Sequence, residues 1–140
     1  NMGIVNSIFM PTIKERKYPL YIGLILLFMI VYKVIPYNYT PELYYYFIGL
    51  ILALFTSLLL LLIHFKSSMH MMGIGSLSMY LIALSIHFQI NISFSISILI
   101  LLIGIVASSR LYFKAHSKLE LLVGLTLGVM SQFLTINYWL

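Results

Sequence analysis

Apolar runs alternate with short charged or polar segments along this chain. Residues 18–32 and 43–65 contain no lysine, arginine, aspartate or glutamate, and none of these four occurs between Lys66 and Arg110. A single helix across the last interval would be roughly 65 Å long, about twice what a bilayer core requires, so the chain has to reverse once within it. The polar residues at 87–93 mark the expected reversal.

The pattern therefore predicts an all-α, polytopic transmembrane helix bundle with about five helices. The expected spans are residues 18–32, 43–65, 69–86, 92–107 and 119–136. Serines alternate with apolar residues at 93–97, a spacing that also fits a strand. Because an open strand edge in lipid leaves backbone groups unpaired, we interpret that segment as helix.

Composition indicates an integral membrane protein and excludes a water-soluble domain. Apolar residues make up 62% of the chain and charged residues 8%, with a mean hydropathy of +1.07, whereas a soluble domain carries about 25% charged residues. The lack of cysteine excludes disulfides and thiolate metal sites. We interpret residues 1–140 as one membrane domain. Since the first residue is Asn1 and the first charges follow an apolar stretch, we expect further helices to precede it.

Five alternating crossings would bring most ionisable residues to one membrane face. Seven of the eight basic residues, three of the four histidines and two of the three acidic residues gather there, namely Lys14, Glu15, Arg16, Lys17, His64, Lys66, His70, Arg110, Lys114, His116, Lys118 and Glu120. One explanation is the positive-inside rule, under which cytoplasmic loops are rich in lysine and arginine. The other is a polyanion site, in which arginines hold a phosphate and histidines move protons or attack phosphorus. Only the second accounts for the histidines.

The spacing near the end of this set is specific. Ser109-Arg110, five residues, His116, three residues and Glu120 resemble the third signature of the type 2 phosphatidic acid phosphatase superfamily, written S-R-x5-H-x3-D. Ser68-Met69-His70 lies where the second signature, P-S-G-H, is expected, with Ser67 in place of proline and Met69 in place of glycine. The first signature, K-x6-R-P, is matched by residue types but not by spacing, at Lys14, Arg16, Lys17 and Pro19.

This resemblance implies a metal-independent lipid phosphatase without a cofactor. It implies that His116 is the nucleophile and forms a phosphohistidine, that Glu120 holds its second ring nitrogen, and that His70 protonates the leaving oxygen and later activates water. It also implies a set of phosphate-binding residues, Arg110, Ser68, Lys14, Arg16 and Lys17. The implied partners are membrane lipids that carry a phosphate or pyrophosphate, not nucleic acid, together with a membrane protein or the preceding helices of the same chain. The implied location is the bacterial inner membrane with the active face extracytoplasmic, although positive-inside counting favours the cytoplasm.

Several of these residues also have structural explanations. Ser117-x-x-Glu120 is a helix capping box, Gly124 and Gly128 favour close helix packing, and we expect Gln132 to bond a neighbouring helix. We assign structural roles to His64 and His87. Glu120 stands where the third signature has aspartate. Its extra methylene moves the carboxylate, which leaves a second function open. That function is a weakly active or inactive membrane subunit that binds anionic headgroups or a partner protein.

Overall fold

The computed structural model describes residues 13–140, which form five α-helices joined by short turns. The helices are α1 (Ile13–Lys33), α2 (Pro41–Leu62), α3 (Met69–Phe88), α4 (Ser93–Tyr112) and α5 (Lys118–Ile136). The predicted all-α bundle is confirmed. The expectation of helices that precede Asn1 lies outside the described residues.

Four helices of the described chain, α2 to α5, are long and apolar enough to cross a membrane. Helix α1 has 21 residues, but its first turns carry Lys14, Glu15, Arg16 and Lys17, which shorten its apolar part. Four of the five predicted crossings thus have the required length and hydropathy. The fifth, through α1, stays a prediction.

Two helix boundaries differ from the expected spans. Helix α1 begins before residue 18 and continues through Pro19, which lacks the N–H that would bond the carbonyl of Glu15. Helix α4 extends to Tyr112, so Ser109 and Arg110 lie in its last turn rather than in the following loop. An arginine there is favoured by the negative end of the helix dipole, and its side chain reaches the polar interface.

Helix α5 is the central element of the bundle and packs against α3 and α2, while α1 packs on α2 and α4 packs on α3. The α3–α5 contact is close because a methyl group at Gly124 would collide with the carbonyl of Ser68, and one at Gly128 with that of Met72. The hydroxyl of Ser76 donates to the carbonyl of Gly128 at 3.2 Å. The predicted packing role of the two glycines is confirmed.

Polar bonds reinforce the same core. The side-chain amide of Gln132, 2% exposed, donates to the backbone carbonyl of Tyr46 at 3.0 Å, as expected for a polar residue within the last span. Toward the same end of the bundle, His87 lies 3.8 Å from Glu42 and packs against Trp139. His87 therefore has the structural role that we assigned to it.

Candidate active site

The turn between α4 and α5 positions His116. Helix α4 ends in a Schellman motif, in which the N–H of Ala115 donates to the carbonyl of Arg110 and that of Lys114 donates to Leu111, both at 3.0 Å. Lys114 adopts the left-handed conformation that this motif requires, with φ 51°. The chain then passes through His116 to Ser117, the N-cap of α5. Two helix ends thus fix the backbone on either side of His116.

The carboxylate of Glu120 has two partners at this turn. The predicted capping box is present: the hydroxyl of Ser117 accepts from the N–H of Glu120 at 3.2 Å, and Glu120 Oε2 accepts from the N–H of Ser117 at 3.2 Å. The same Oε2 lies 2.9 Å from His116 Nδ1. The capping and ring-orienting explanations for Glu120 are therefore compatible, because one oxygen atom makes both contacts.

The other ring nitrogen of His116 faces a cation from α1. Arg16 Nη1 lies 3.4 Å from His116 Nε2, although the two residues are 100 positions apart. A guanidinium only donates hydrogen bonds and an ionised carboxylate only accepts them. Both contacts therefore require the same form of the ring, a neutral imidazole with the proton on Nδ1 and a lone pair on Nε2.

Burial and charge favour this neutral form. The side chain of His116 is 6% exposed. Its pKa is lowered chiefly by burial and next by the charge of Arg16, with a smaller effect of Arg110, whereas Glu120 raises it. The lowering effects prevail, so the Nε2 lone pair is available at neutral pH.

Helix α3 begins directly against the start of α5. The N–H of Ser68 donates to the carbonyl of Glu120 at 3.1 Å, a contact that the lack of a side chain at Gly124 permits. The hydroxyl of Ser68 accepts from the N–H of Met71 at 3.5 Å, and the residue is fully buried. Ser68 thus caps α3, the helix that carries His70, and its predicted contact with phosphate stays a prediction.

A second serine pair anchors the loop that leads to His70. Ser67 Oγ and Ser57 Oγ share a hydrogen bond of 2.6 Å, and both residues are buried. A hydrogen bond to α2 therefore restrains the loop just before His70.

Arg110 links the two histidines. From the last turn of α4 its guanidinium is near enough to act electrostatically on both His70 and His116. Five predicted residues therefore converge at one end of the bundle, and they come from α1, α3, α4, the α4–α5 turn and α5: Arg16, His70, Arg110, His116 and Glu120. We name this set the histidine–arginine cluster.

Lys14 and Lys17, also predicted as phosphate ligands, lie elsewhere. Together with Tyr18 and Tyr21 they line a separate groove of about 220 Å³ on the outer face of α1. Positions 14, 17, 18 and 21 share one helix face, while Arg16 and Leu20 lie on the buried one, 6% and 2% exposed. The sequence predicted a helix that starts at residue 18, so residues 14–17 could not be assigned to helix faces. For this reason the sequence did not distinguish Arg16 from the two lysines.

One buried acidic residue near the cluster was not predicted. Glu15 is 4% exposed and precedes Arg16 on α1. The helical period of α1 could have identified Glu15, because a charged residue on the buried face of an interfacial helix is costly unless it interacts.

Comparison with known proteins gives no match: no family model, no curated protein and no solved structure matches this chain. What the site does has to be argued from its geometry. The cluster combines two guanidinium groups, which suit a dianion, with a neutral imidazole that carries an available lone pair.

Proposed function

We propose that this protein is an integral membrane phosphatase of the type 2 phosphatidic acid phosphatase kind, which hydrolyses a phosphate or pyrophosphate headgroup carried by a lipid. One observation carries the proposal: His116 lies between an acceptor at Nδ1, 2.9 Å away, and a donor at Nε2, 3.4 Å away. This arrangement selects a neutral, nucleophilic ring. The motif spacing around Arg110, His116 and Glu120 supports the same conclusion independently.

The reaction proceeds in two steps, formation and hydrolysis of a phosphohistidine. The Nε2 lone pair of His116 attacks phosphorus, the bond from phosphorus to the lipid oxygen breaks, and His70, which enters this step as the protonated imidazolium, gives its proton to that oxygen. Water then attacks the phosphohistidine, its proton returns to His70, and the phosphorus–nitrogen bond breaks to release phosphate. Glu120 stabilises the positive ring that forms in the first step, as the third member of a catalytic triad does.

The arginines neutralise the phosphate. Arg110 acts electrostatically on both histidines, and Arg16 shifts its donor from Nε2 to a phosphate oxygen when the substrate enters. Charge-assisted bonds from a guanidinium fork are strong and directional. A headgroup at the membrane surface meets this cluster while its hydrocarbon part stays among the helices, on the extracytoplasmic face of a bacterial inner membrane.

A second function is favoured by one contact. Arg16 Nη1 occupies the side of the ring from which the nucleophile would attack, an arrangement that also suits a non-catalytic subunit binding anionic headgroups or a partner protein. The two functions differ in turnover. A subunit of this kind binds lipid phosphates and releases no inorganic phosphate.

The decisive experiment measures phosphate release by the purified full chain from a panel of lipid phosphates and pyrophosphates, with a chelator present. We expect release from at least one lipid, and its loss in His116→Ala, since that change removes the proposed nucleophile. The matched control is His64→Asn, which removes an exposed histidine at the end of α2 on the same face, at a left-handed position with φ 62° that asparagine tolerates. Wild-type rates in His116→Ala would refute the phosphatase, and binding without release would establish the subunit.

A further inference from the structure

A groove opens beside the histidine–arginine cluster, between α4 and α5. These helices are consecutive in the chain, yet each packs chiefly on α3, and they share no extensive contact. The space between them is a groove of about 300 Å³. Its lining includes Met71, Ile103, Ala107, Leu111, Lys118 and Leu125.

The groove begins at the same end of the bundle as the cluster. Three of its lining residues directly follow residues of the cluster in the chain: Met71 follows His70, Leu111 follows Arg110 and Leu121 follows Glu120. Lys118, in the first turn of α5, brings an ammonium group to the same end. The remaining lining is hydrocarbon. The groove thus has a cationic entrance beside the site and an apolar interior.

The groove extends along the helices toward the middle of the membrane. From Leu111 back to Ile103, its two ends on α4, the helical rise corresponds to about 12 Å. This is less than half of a hydrocarbon core of about 30 Å. The groove therefore suits the part of a hydrocarbon chain nearest to a headgroup bound at the cluster.

We propose that this groove is a specificity-determining subsite that holds the first part of one hydrocarbon chain of the substrate lipid, with Ala107 setting its width. The inference rests on the proposed function and adds the residues that select the lipid. Ala107 is the small side chain on the α4 wall, between Ile103 and Leu111 one turn to either side. A larger side chain there would close the groove at its middle.

The physical contribution of such a groove is fit rather than hydrophobic transfer. Lipid tails are as apolar as leucine, so moving a chain from the bilayer into the groove removes little apolar surface from water. The groove adds van der Waals contact with a hydrocarbon chain of the right width. A larger side chain that fills the groove excludes that chain sterically. Substrates without a hydrocarbon chain gain nothing from it.

The test compares Ala107→Phe with Gly104→Phe in the full chain. Ala107→Phe adds a phenyl ring to α4, and Gly104→Phe adds a benzyl group. A side chain at Gly104, however, meets no neighbouring atom and faces outward. The substrates are a long-chain lipid phosphate and glycerol 3-phosphate, which lacks a hydrocarbon chain. Binding of a non-hydrolysable long-chain alkyl phosphonate is measured in parallel, since it reports on the groove without requiring turnover.

We expect Ala107→Phe to raise the KM for the long-chain substrate and the Kd for the alkyl phosphonate by about tenfold, with glycerol 3-phosphate unaffected. We expect Gly104→Phe to resemble wild type throughout. Equal behaviour of the two variants would overturn this proposal. Binding of a neutral long-chain alcohol as tight as that of the phosphonate would also overturn it, because the groove would then be a general lipid contact. Should Ala107→Phe fold poorly, Ala107→Leu provides the same comparison. A wild-type protein that binds the phosphonate but hydrolyses neither ester refutes the proposed function and leaves the groove supported.

Discussion

His116 owes its tautomer to two neighbours with opposite hydrogen-bonding capacity. Glu120 accepts at Nδ1 and Arg16 donates at Nε2, so that either partner alone would favour the same tautomer. Because the capping box also holds Glu120 through Ser117, the ring is fixed by the start of a helix rather than by a mobile loop. Changes at these residues therefore have separable effects on chemistry and on folding.

Replacing Glu120 by glutamine tests the tautomer directly. A neutral amide can turn its NH2 group toward Nδ1, so Nδ1 no longer has to carry the ring proton, and it lacks the charge that stabilises the positive ring formed in the first step. We therefore expect Glu120→Gln to lower phosphate release by about a hundredfold or more. The control is Ser117→Ala, which loses the N-cap and costs about 1 kcal/mol of stability but leaves the carboxylate at Nδ1. Initial rates and thermal unfolding of both variants provide the measurement. A rate loss in Ser117→Ala as large as that in Glu120→Gln would contradict the tautomer argument.

The lowered pKa of His116 predicts the pH dependence of the reaction. The nucleophile is the neutral ring, so kcat/KM should fall on the acid side with an apparent pKa below the ordinary value of about 6.5. The cationic charge of Arg16 is one cause of the lowering, and Arg16→Gln should therefore move this limb to higher pH. Lys17→Gln removes a positive charge from the other face of α1 and should leave the limb in place. An unmoved limb in Arg16→Gln would show that His116 does not set it.

The same shift has a consequence for folding. Below about pH 6.5 the unfolded chain takes up a proton that the folded chain still resists. The contribution of neutral His116 to stability is thus complete above that pH and decreases as the pH falls toward the lowered value of the folded state.

Sequence spacing identified part of the cluster and missed the rest for physical reasons. Residues fixed at short separations, such as His116 and Glu120, were predictable because a helix start determines their relative positions. The choice of Arg16 over Lys14 and Lys17 depends on where α1 begins and which face it buries. The inward direction of the Ser68 hydroxyl depends on the packing of α3 against α5, which no local pattern encodes.

At the level of elements, hydropathy located all five helices but not their polar ends. Helix α4 continues past the apolar run to Tyr112, since serines and an arginine at an interface remain solvated within a helix. The glycine spacing on α5 was more informative, because close backbone approach has few alternatives to glycine. Gly124 and Gly128 lie against the backbone of α3, and this contact aligns the starts of α3 and α5.

This contact predicts opposite effects for two glycine substitutions. At Gly128 a methyl group would meet backbone atoms of Met72 and Ser76, which cannot move aside, so Gly128→Ala should destabilise the protein by about 2 kcal/mol or more. At Gly104 no atom lies within 4 Å of an added methyl, and Gly104→Ala should stabilise helix α4 by about 0.5–1 kcal/mol. Thermal unfolding in the same detergent compares them. Equal effects would mean that α3 and α5 are not in backbone contact.

At the scale of the whole molecule, the cluster forms where helices from distant parts of the chain meet at one end of the bundle. Two of them, α3 and α4, are consecutive and pack against each other, so the start of α3 and the end of α4 lie at the same end of the bundle. Helix α1 packs on α2, and yet its Arg16 reaches the α4–α5 turn. The first turn of α1 and the two turns that carry the cluster are therefore at the same end of the bundle.

The absence of cysteine from the sequence makes this topology accessible to single-cysteine labelling in intact cells. We expect Lys14→Cys, His64→Cys and Lys114→Cys to react with a membrane-impermeant maleimide, and Asn38→Cys and Asn91→Cys to react only after permeabilisation. All five positions are exposed. The first three positions lie at the charged end of the bundle, which faces the outside of the cell in the proposed function. The other two lie in the turns at the opposite end. Reversed labelling of both groups would mean that the basic residues follow the positive-inside rule and face the cytoplasm. Labelling of Lys14→Cys together with Asn38→Cys would instead show that α1 does not cross, and Arg16 could not then reach His116.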